Sequence, residues 1–195
     1  MKIARFVILL TIIFCHLSIQ KVYASTTTSM QLRQMADKKY YGENVPEALA
    51  IYIKAMEAAT AEGNDSNYIA CTGYIGNIYN TFGDNKSCMT YYLKGYRAAK
   101  RIGSLHLQTS FLNNIIICYT QMGNVKEAKH YYALLMTLPI NINKPVDQYY
   151  RLYSKAHIYA AEGKYDKAIS EHRNALQFAT QKHMKPKYRL FQLSE

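Results

Sequence analysis

The side chains beyond residue 24 that could carry acid–base, nucleophilic or metal chemistry are His106, His130, His157, His172 and His183, together with Cys71, Cys88 and Cys118. A metal centre needs several such groups at ligand spacing, and catalysis needs a base within reach of a partner that orients it. Neither arrangement can be read from the chain: it holds no HExxH pair, no CxxC and no glycine-rich phosphate loop, and its histidines are scattered. We therefore expect no enzyme, no catalytic residue, no metal ligand and no cofactor. Each cysteine sits in an apolar, helix-like context and reads as a small buried residue. Three is an odd number, so no complete disulfide framework can form; one pair could join, but none is expected. The chemistry left to the chain is non-covalent recognition, and its character depends on the elements that present the polar side chains.

Those elements repeat. Shifting the sequence against itself by 40 residues aligns TFGDNKSCMTYYLKG (81–95), QMGNVKEAKHYYALL (121–135) and AEGKYDKAISEHRNA (161–175). Turn glycines recur as Gly83, Gly123 and Gly163, small residues as Ala48, Cys88, Ala128 and Ala168, and rings as Tyr52, Tyr92, Tyr132 and His172. Upstream of each glycine stand Tyr79, Tyr119 or Tyr159, and before these Gly76, Ile116 or Ala156. Apolar residues at helical spacing, such as Leu112, Ile115, Ile116 and Tyr119, make each half of a repeat a helix. Glycine followed by Asp, Asn or Lys suits the end of one helix and the cap of the next. The small residues mark where the paired helices cross most closely, and the rings are expected to fill the wedge toward the neighbouring hairpin. The spacing predicts helices over 28–41, 45–61, 65–82, 85–101, 104–122, 125–137, 146–162 and 165–181. TLPININKP (137–145), with prolines at both ends, predicts an irregular linker.

Ala156, Tyr159, Gly163, Ala168, His172 and Ala175 follow the order small, Tyr, Gly, small, aromatic, small, and in this the chain resembles the tetratricopeptide repeats over about residues 28 to 181. The resemblance implies an all-α fold: a right-handed superhelical solenoid of about four antiparallel helix hairpins. The spacing is longer than the roughly 34 residues usual for that family and is similar to that of kinesin light chains and of certain bacterial envelope or regulatory proteins with such arrays in their N-terminal region. Ile116 at a close-crossing site, Lys39 in place of the first tyrosine, Lys155 at an apolar position and the lack of tryptophan depart from the pattern.

In the family, extended peptides lie along the concave face against the first helix of each hairpin. The resemblance carries that role to Arg33, Asp37 and Tyr40, to Asn77 and Asn80, to Asn113, Asn114 and Gln121, and to Tyr150, Tyr153 and His157. Asparagine suits the task because its amide can donate to and accept from a peptide backbone at once. Asn77 and Asn114 correspond to the pair with which some members clamp a C-terminal carboxylate, but Gly73 and Tyr150 stand where the lysines of that clamp would be, so carboxylate capture is not expected. The asparagines either touch a ligand or are simply solvated; Tyr150 and Tyr153 either form an adhesive patch or support the stack.

With 195 residues, 49% of them apolar and 19% charged, the chain belongs among ordered globular proteins rather than disordered ones. Lys2 and Arg5 precede an apolar run from Phe6 to about Cys15, and Val22-Tyr23-Ala24 places small residues before Ser25, which is the layout of a signal peptide over 1–24. The run is shorter than the roughly 20 residues that span a bilayer, so export to the periplasm is expected, with no transmembrane segment after cleavage. Losing Lys2, Arg5 and Lys21 lowers the net charge from +11 to about +8, still basic enough to attract an acidic partner. Outside the cytoplasm the charge points to acidic proteins, anionic lipid head groups or polyanionic glycans rather than nucleic acid, and a protein or peptide partner is expected.

The repeat domain thus occupies 25–181. Lys185-Pro186 repeats Lys144-Pro145, so 182–195 reads as a partial C-terminal helix or cap, either a stub that folds back or the front of a longer chain. An incomplete cap also offers a surface for self-association. Two functions follow as expectations. The first is a non-enzymatic, exported scaffold that binds a protein or peptide on its concave face. The second is the extracytoplasmic sensor portion of a bacterial transcriptional regulator or histidine kinase whose membrane and output parts lie beyond residue 195.

Overall fold

The structure, a computed structural model, describes residues 27–139 and 145–184. The leader read at 1–24, the middle of the irregular linker and the segment from 185 onward lie outside the described residues. Eight helices run through them: α1 (Ser29–Tyr41), α2 (Val45–Glu62), α3 (Asp65–Thr81), α4 (Asn85–Arg101), α5 (Leu105–Gln121), α6 (Val125–Thr137), α7 (Pro145–Ala161) and α8 (Tyr165–Gln181). Each begins and ends within a residue of its expected bounds. They form four antiparallel hairpins, α1/α2 to α7/α8, stacked into an all-α solenoid, and no strand occurs among the described residues. No helix among the described residues is long and apolar enough to cross a membrane.

The turns show why the boundaries are legible. Gly83, Gly123 and Gly163 adopt φ of 73°, 69° and 73°, a left-handed conformation that reverses the chain within a few residues. Asp84 and Asn124 then accept the N–H of Ser87 and Glu127, capping α4 and α6. Lys164 has no acceptor to offer, and α8 begins without a side-chain cap. In the first hairpin the position equivalent to the glycines is Glu43, which is held at φ 65° despite its Cβ.

Tyr52 and Tyr92, only 0% and 3% exposed, bridge hairpins as expected while also seating against their own first helix: Tyr52 stacks on Tyr74 of α3, and Tyr92 shares an apolar cluster with Phe111 and Ile115 of α5. A Cβ on Gly76 would lie 2.4 Å from Cε1 of Tyr92, so the absence of a side chain on α3 is what admits the ring of α4. In the third hairpin Ile116 fills that notch and is fully buried, and Tyr132 is left half-buried. Ala48, Cys88, Ala128 and Ala168 are buried at the crossings, as their spacing implied. Of the other departures, Lys39 pairs with Glu47 at 2.9 Å across the first hairpin and Lys155 with Glu171 at 2.7 Å across the fourth.

The hairpins do not all stack alike. Through the first three, each new hairpin begins by packing its first helix against the second helix of the one before, α3 on α2 and α5 on α4. After the longer linker, α7 lies chiefly against α5, and the short helix α6, 13 residues long, contributes less.

Candidate peptide-binding groove

The first helices of the first three hairpins line an open groove of about 540 Å³. Tyr40 and Tyr41 come from α1, Gly73, Tyr74 and Asn77 from α3, and Phe111 and Asn114 from α5, while Ser66, Ala70 and Ser110 keep its floor low. None of the lining residues is charged, although the chain as a whole is strongly basic. Helical spacing explains the set: Ser66, Ala70, Gly73 and Asn77 fall on one face of α3, as do Leu107, Ser110, Phe111 and Asn114 on α5.

One end of the groove is aromatic. Tyr74 stacks on the buried Tyr52 at 4.8 Å between ring centroids and 5° between planes. Tyr40 meets Tyr74 and Tyr41 edge-on at 5.6 and 5.3 Å. The hydroxyls of Tyr41 and Tyr74 lie 3.4 Å apart. Burial, followed by that hydroxyl contact, raises the pKa of Tyr74 above the ordinary phenol value, and burial raises that of Tyr40. Tyr40 and Tyr74 therefore stay neutral at physiological pH.

The rim is amide. Asn77 is exposed, and its Oδ1 accepts from the Tyr92 hydroxyl at 2.8 Å, which orients the side chain and turns its Nδ2 donors away from that bond. The hairpin before it repeats the device with Tyr52 donating to Asp37 Oδ1 at 2.7 Å. Asn114 Oδ1 accepts from Asn113 Nδ2 at 3.2 Å, and Asn113 Oδ1 in turn accepts from Ser154 Oγ of α7 at 3.0 Å.

Of the residues expected on the concave face, the groove brings together Tyr40, Asn77 and Asn114. Others are engaged in holding the array. Arg33 pairs with Asp37 at 3.2 Å and donates from Nε to Asn67 at 3.0 Å. Asn113 is 3% exposed and belongs to the seam between α5 and α7. Tyr153 is 8% exposed and stacks on Tyr149, Tyr150 packs on the same apolar cluster, and His157 meets Tyr153 and His172 at 4.6 and 5.3 Å. Burial, with a smaller contribution from His172, lowers the pKa of His157 to about 4, so the imidazole is neutral. Asn80 is half-buried and Gln121 exposed, both outside the groove.

Tyr41, Tyr74 and Phe111 were not singled out from the sequence. The stripe of small residues, Ser66, Ala70 and Gly73 beside Tyr74, was the signal that could have found them, because small side chains in a helix-spaced row leave room for something else. Among the described residues no group of three or more His, Cys, Asp or Glu is placed to hold a metal ion.

Fold and groove together define a helical-repeat solenoid with a concave, uncharged recess. No protein-family model and no curated protein matches the sequence. Among solved structures the chain is similar to the crystal structure of BtubC (BKLC) from P. vanneervenii, with a TM-score of 0.65 and 15% identity over 80% of this chain and 64% of that one. The chain thus spans less than two thirds of that protein's length. At this identity the likeness concerns the fold alone.

Proposed function

We propose that the chain is a tetratricopeptide-type binding module, an exported scaffold without catalytic activity that holds an extended protein or peptide segment across α1, α3 and α5. The observation that carries the reading is the groove itself: a recess of about 540 Å³ with tyrosines at one end and oriented asparagines at the rim, formed by the helices that face inward in such arrays. Its uncharged lining suits an aromatic or apolar side chain seated between Tyr74 and Phe111, while Asn77 and Asn114 engage the backbone on either side. The dispersed positive charge lies outside the groove and acts at longer range, favouring acidic partners by steering rather than by contact.

Two variants separate binding from folding. Replacing both Asn77 and Asn114 by Ala removes the amides at exposed or half-buried positions. Gly73→Ala places a methyl group in the recess, 3.7 Å from the Phe111 ring and therefore without a clash, on a helix that gains from losing glycine. In a pull-down from the cell envelope, the wild-type chain should retain a partner that both variants lose while keeping their helical circular dichroism. If both variants capture the same proteins as the wild type, the groove is not the binding surface.

A further inference from the structure

Cys88 on α4 and Cys118 on α5 point at each other across the junction between the second and third hairpins, with their Sγ atoms 2.7 Å apart. Non-bonded carbon atoms rest about 3.5–4.0 Å apart, and sulfur is larger. Two thiols are therefore uncomfortable at this distance, whereas a covalent pair needs only a small further approach to the roughly 2.05 Å of a disulfide. Both side chains are fully buried, among Ile69, Tyr92, Phe111 and Ile115. As a thiol Cys118 donates to the Asn85 carbonyl at 3.6 Å, a weak contact that the disulfide gives up. The third cysteine, Cys71, lies in a different cluster, against Ala36, Ala48 and Tyr52, and burial pushes its thiol up to about 12.

We propose that Cys88 and Cys118 form a disulfide that staples the second hairpin to the third, with Cys71 remaining a thiol. The bond closes a loop of 30 residues. It locks α4, whose Tyr92 orients Asn77 from behind the groove, to α5, which carries Phe111 and Asn114 in its lining. Because both sulfurs are buried in the folded chain, the exchange takes place while the two hairpins are still apart. One cysteine, as thiolate, attacks a disulfide of an oxidising protein or small molecule and expels one of its thiols. The other cysteine, as thiolate, then attacks the mixed disulfide and expels the second. Two protons and two electrons leave the pair, and the oxidant's disulfide is reduced to two thiols.

Formation in the cell rests on the proposed export, and the test keeps the two apart. The full chain is taken from the envelope of its own host, quenched in acid, unfolded and alkylated with or without prior reduction. In parallel, the purified chain is refolded in a glutathione redox buffer and treated in the same way. Reduction should expose two additional alkylatable thiols in both samples, and digestion should yield a peptide joining residues 88 and 118. A link that forms in the buffer but not in the cell leaves the pairing intact and overturns the export reading. Two outcomes defeat the pairing itself: no extra thiols after reduction in either sample, or a link through Cys71. The linked chain should also lose roughly 5–10 °C of melting temperature on reduction. Cys88→Ala, which carries the residue found at the same site in the other three repeats, should melt alike with and without reductant.

Discussion

Between the second and third hairpins, Phe111 enters a notch left by Gly95, where a Cβ would lie 2.2 Å from the ring and 2.8 Å from Thr72 Oγ1. Between the third and fourth, the opposite end of the same array is joined by polar groups: His106 Nδ1 to Asp147 Oδ1 at 2.7 Å, and Ser154 to Asn113 at 3.0 Å, with Arg151 donating to the Leu138 carbonyl. Asp147, Asn113, Ser154 and Arg151 are 2%, 3%, 0% and 8% exposed. Shape complementarity suits the first junction because a short turn already presents α5 to α4 in the right place. The second follows a longer linker that leaves α7 free to slide, and directional hydrogen bonds choose a register that apolar contacts would leave open. The apolar junction shapes the groove and the polar one anchors it, since Ser154, Asn113 and Asn114 form a chain of hydrogen bonds from the seam to the rim.

The apolar junction should be the more sensitive to volume. Phe111→Ala is expected to cost about 3–5 kcal/mol in denaturant-induced unfolding and to abolish groove binding; a cost below about 1 kcal/mol would mean that the ring is not the keystone inferred here.

The fourth hairpin should instead be sensitive to protons. His157 is neutral when folded, with a pKa lowered to about 4 by burial, and titrates near 6.5 when unfolded. Since the unfolded chain binds the proton more readily, stability is fully present above about pH 6.5 and declines as pH falls toward 4, by on the order of 2–3 kcal/mol for this group. Burial lowers the pKa of His172 as well, which adds a loss of the same sign. Unfolding curves at pH 7 and pH 4.5 should differ less for His157→Gln than for the wild type, and equal differences would assign the pH dependence elsewhere.

The polar seam offers a sharper contrast. Ser154→Ala leaves Asn113 Oδ1 buried without its donor and should cost about 1–3 kcal/mol, whereas combining it with Asn113→Leu should recover much of that loss because no orphaned group remains. A double variant less stable than the single one would show that the seam works by more than mutual satisfaction. The smallest effect is expected at the first turn, where Glu43→Gly relieves a left-handed conformation and should raise stability by up to about 1 kcal/mol, read as a higher melting temperature.

The helices, their bounds and their pairing were legible in the sequence because each depends on local chemistry. A glycine past one helix, a capping Asp84 or Asn124 before the next and apolar residues at helical spacing act within a few residues of one another, and the 40-residue recurrence stacks the hairpins. Tyr40, Asn77 and Asn114 were named through the tetratricopeptide resemblance rather than by periodicity, and the three line one recess. Partner choice was not legible. Whether an asparagine stays exposed, as Asn77 does, or is consumed by a neighbour 41 residues away, as Asn113 is by Ser154, depends on how two hairpins meet in space. The same holds for Tyr92, turned inward because Gly76 lacks a side chain, and for Cys88 and Cys118, brought within 2.7 Å from sites 30 residues apart. Periodicity determined which face of each helix turns inward; only the docking of helix on helix decided which inward groups satisfy one another and which stay open to solvent.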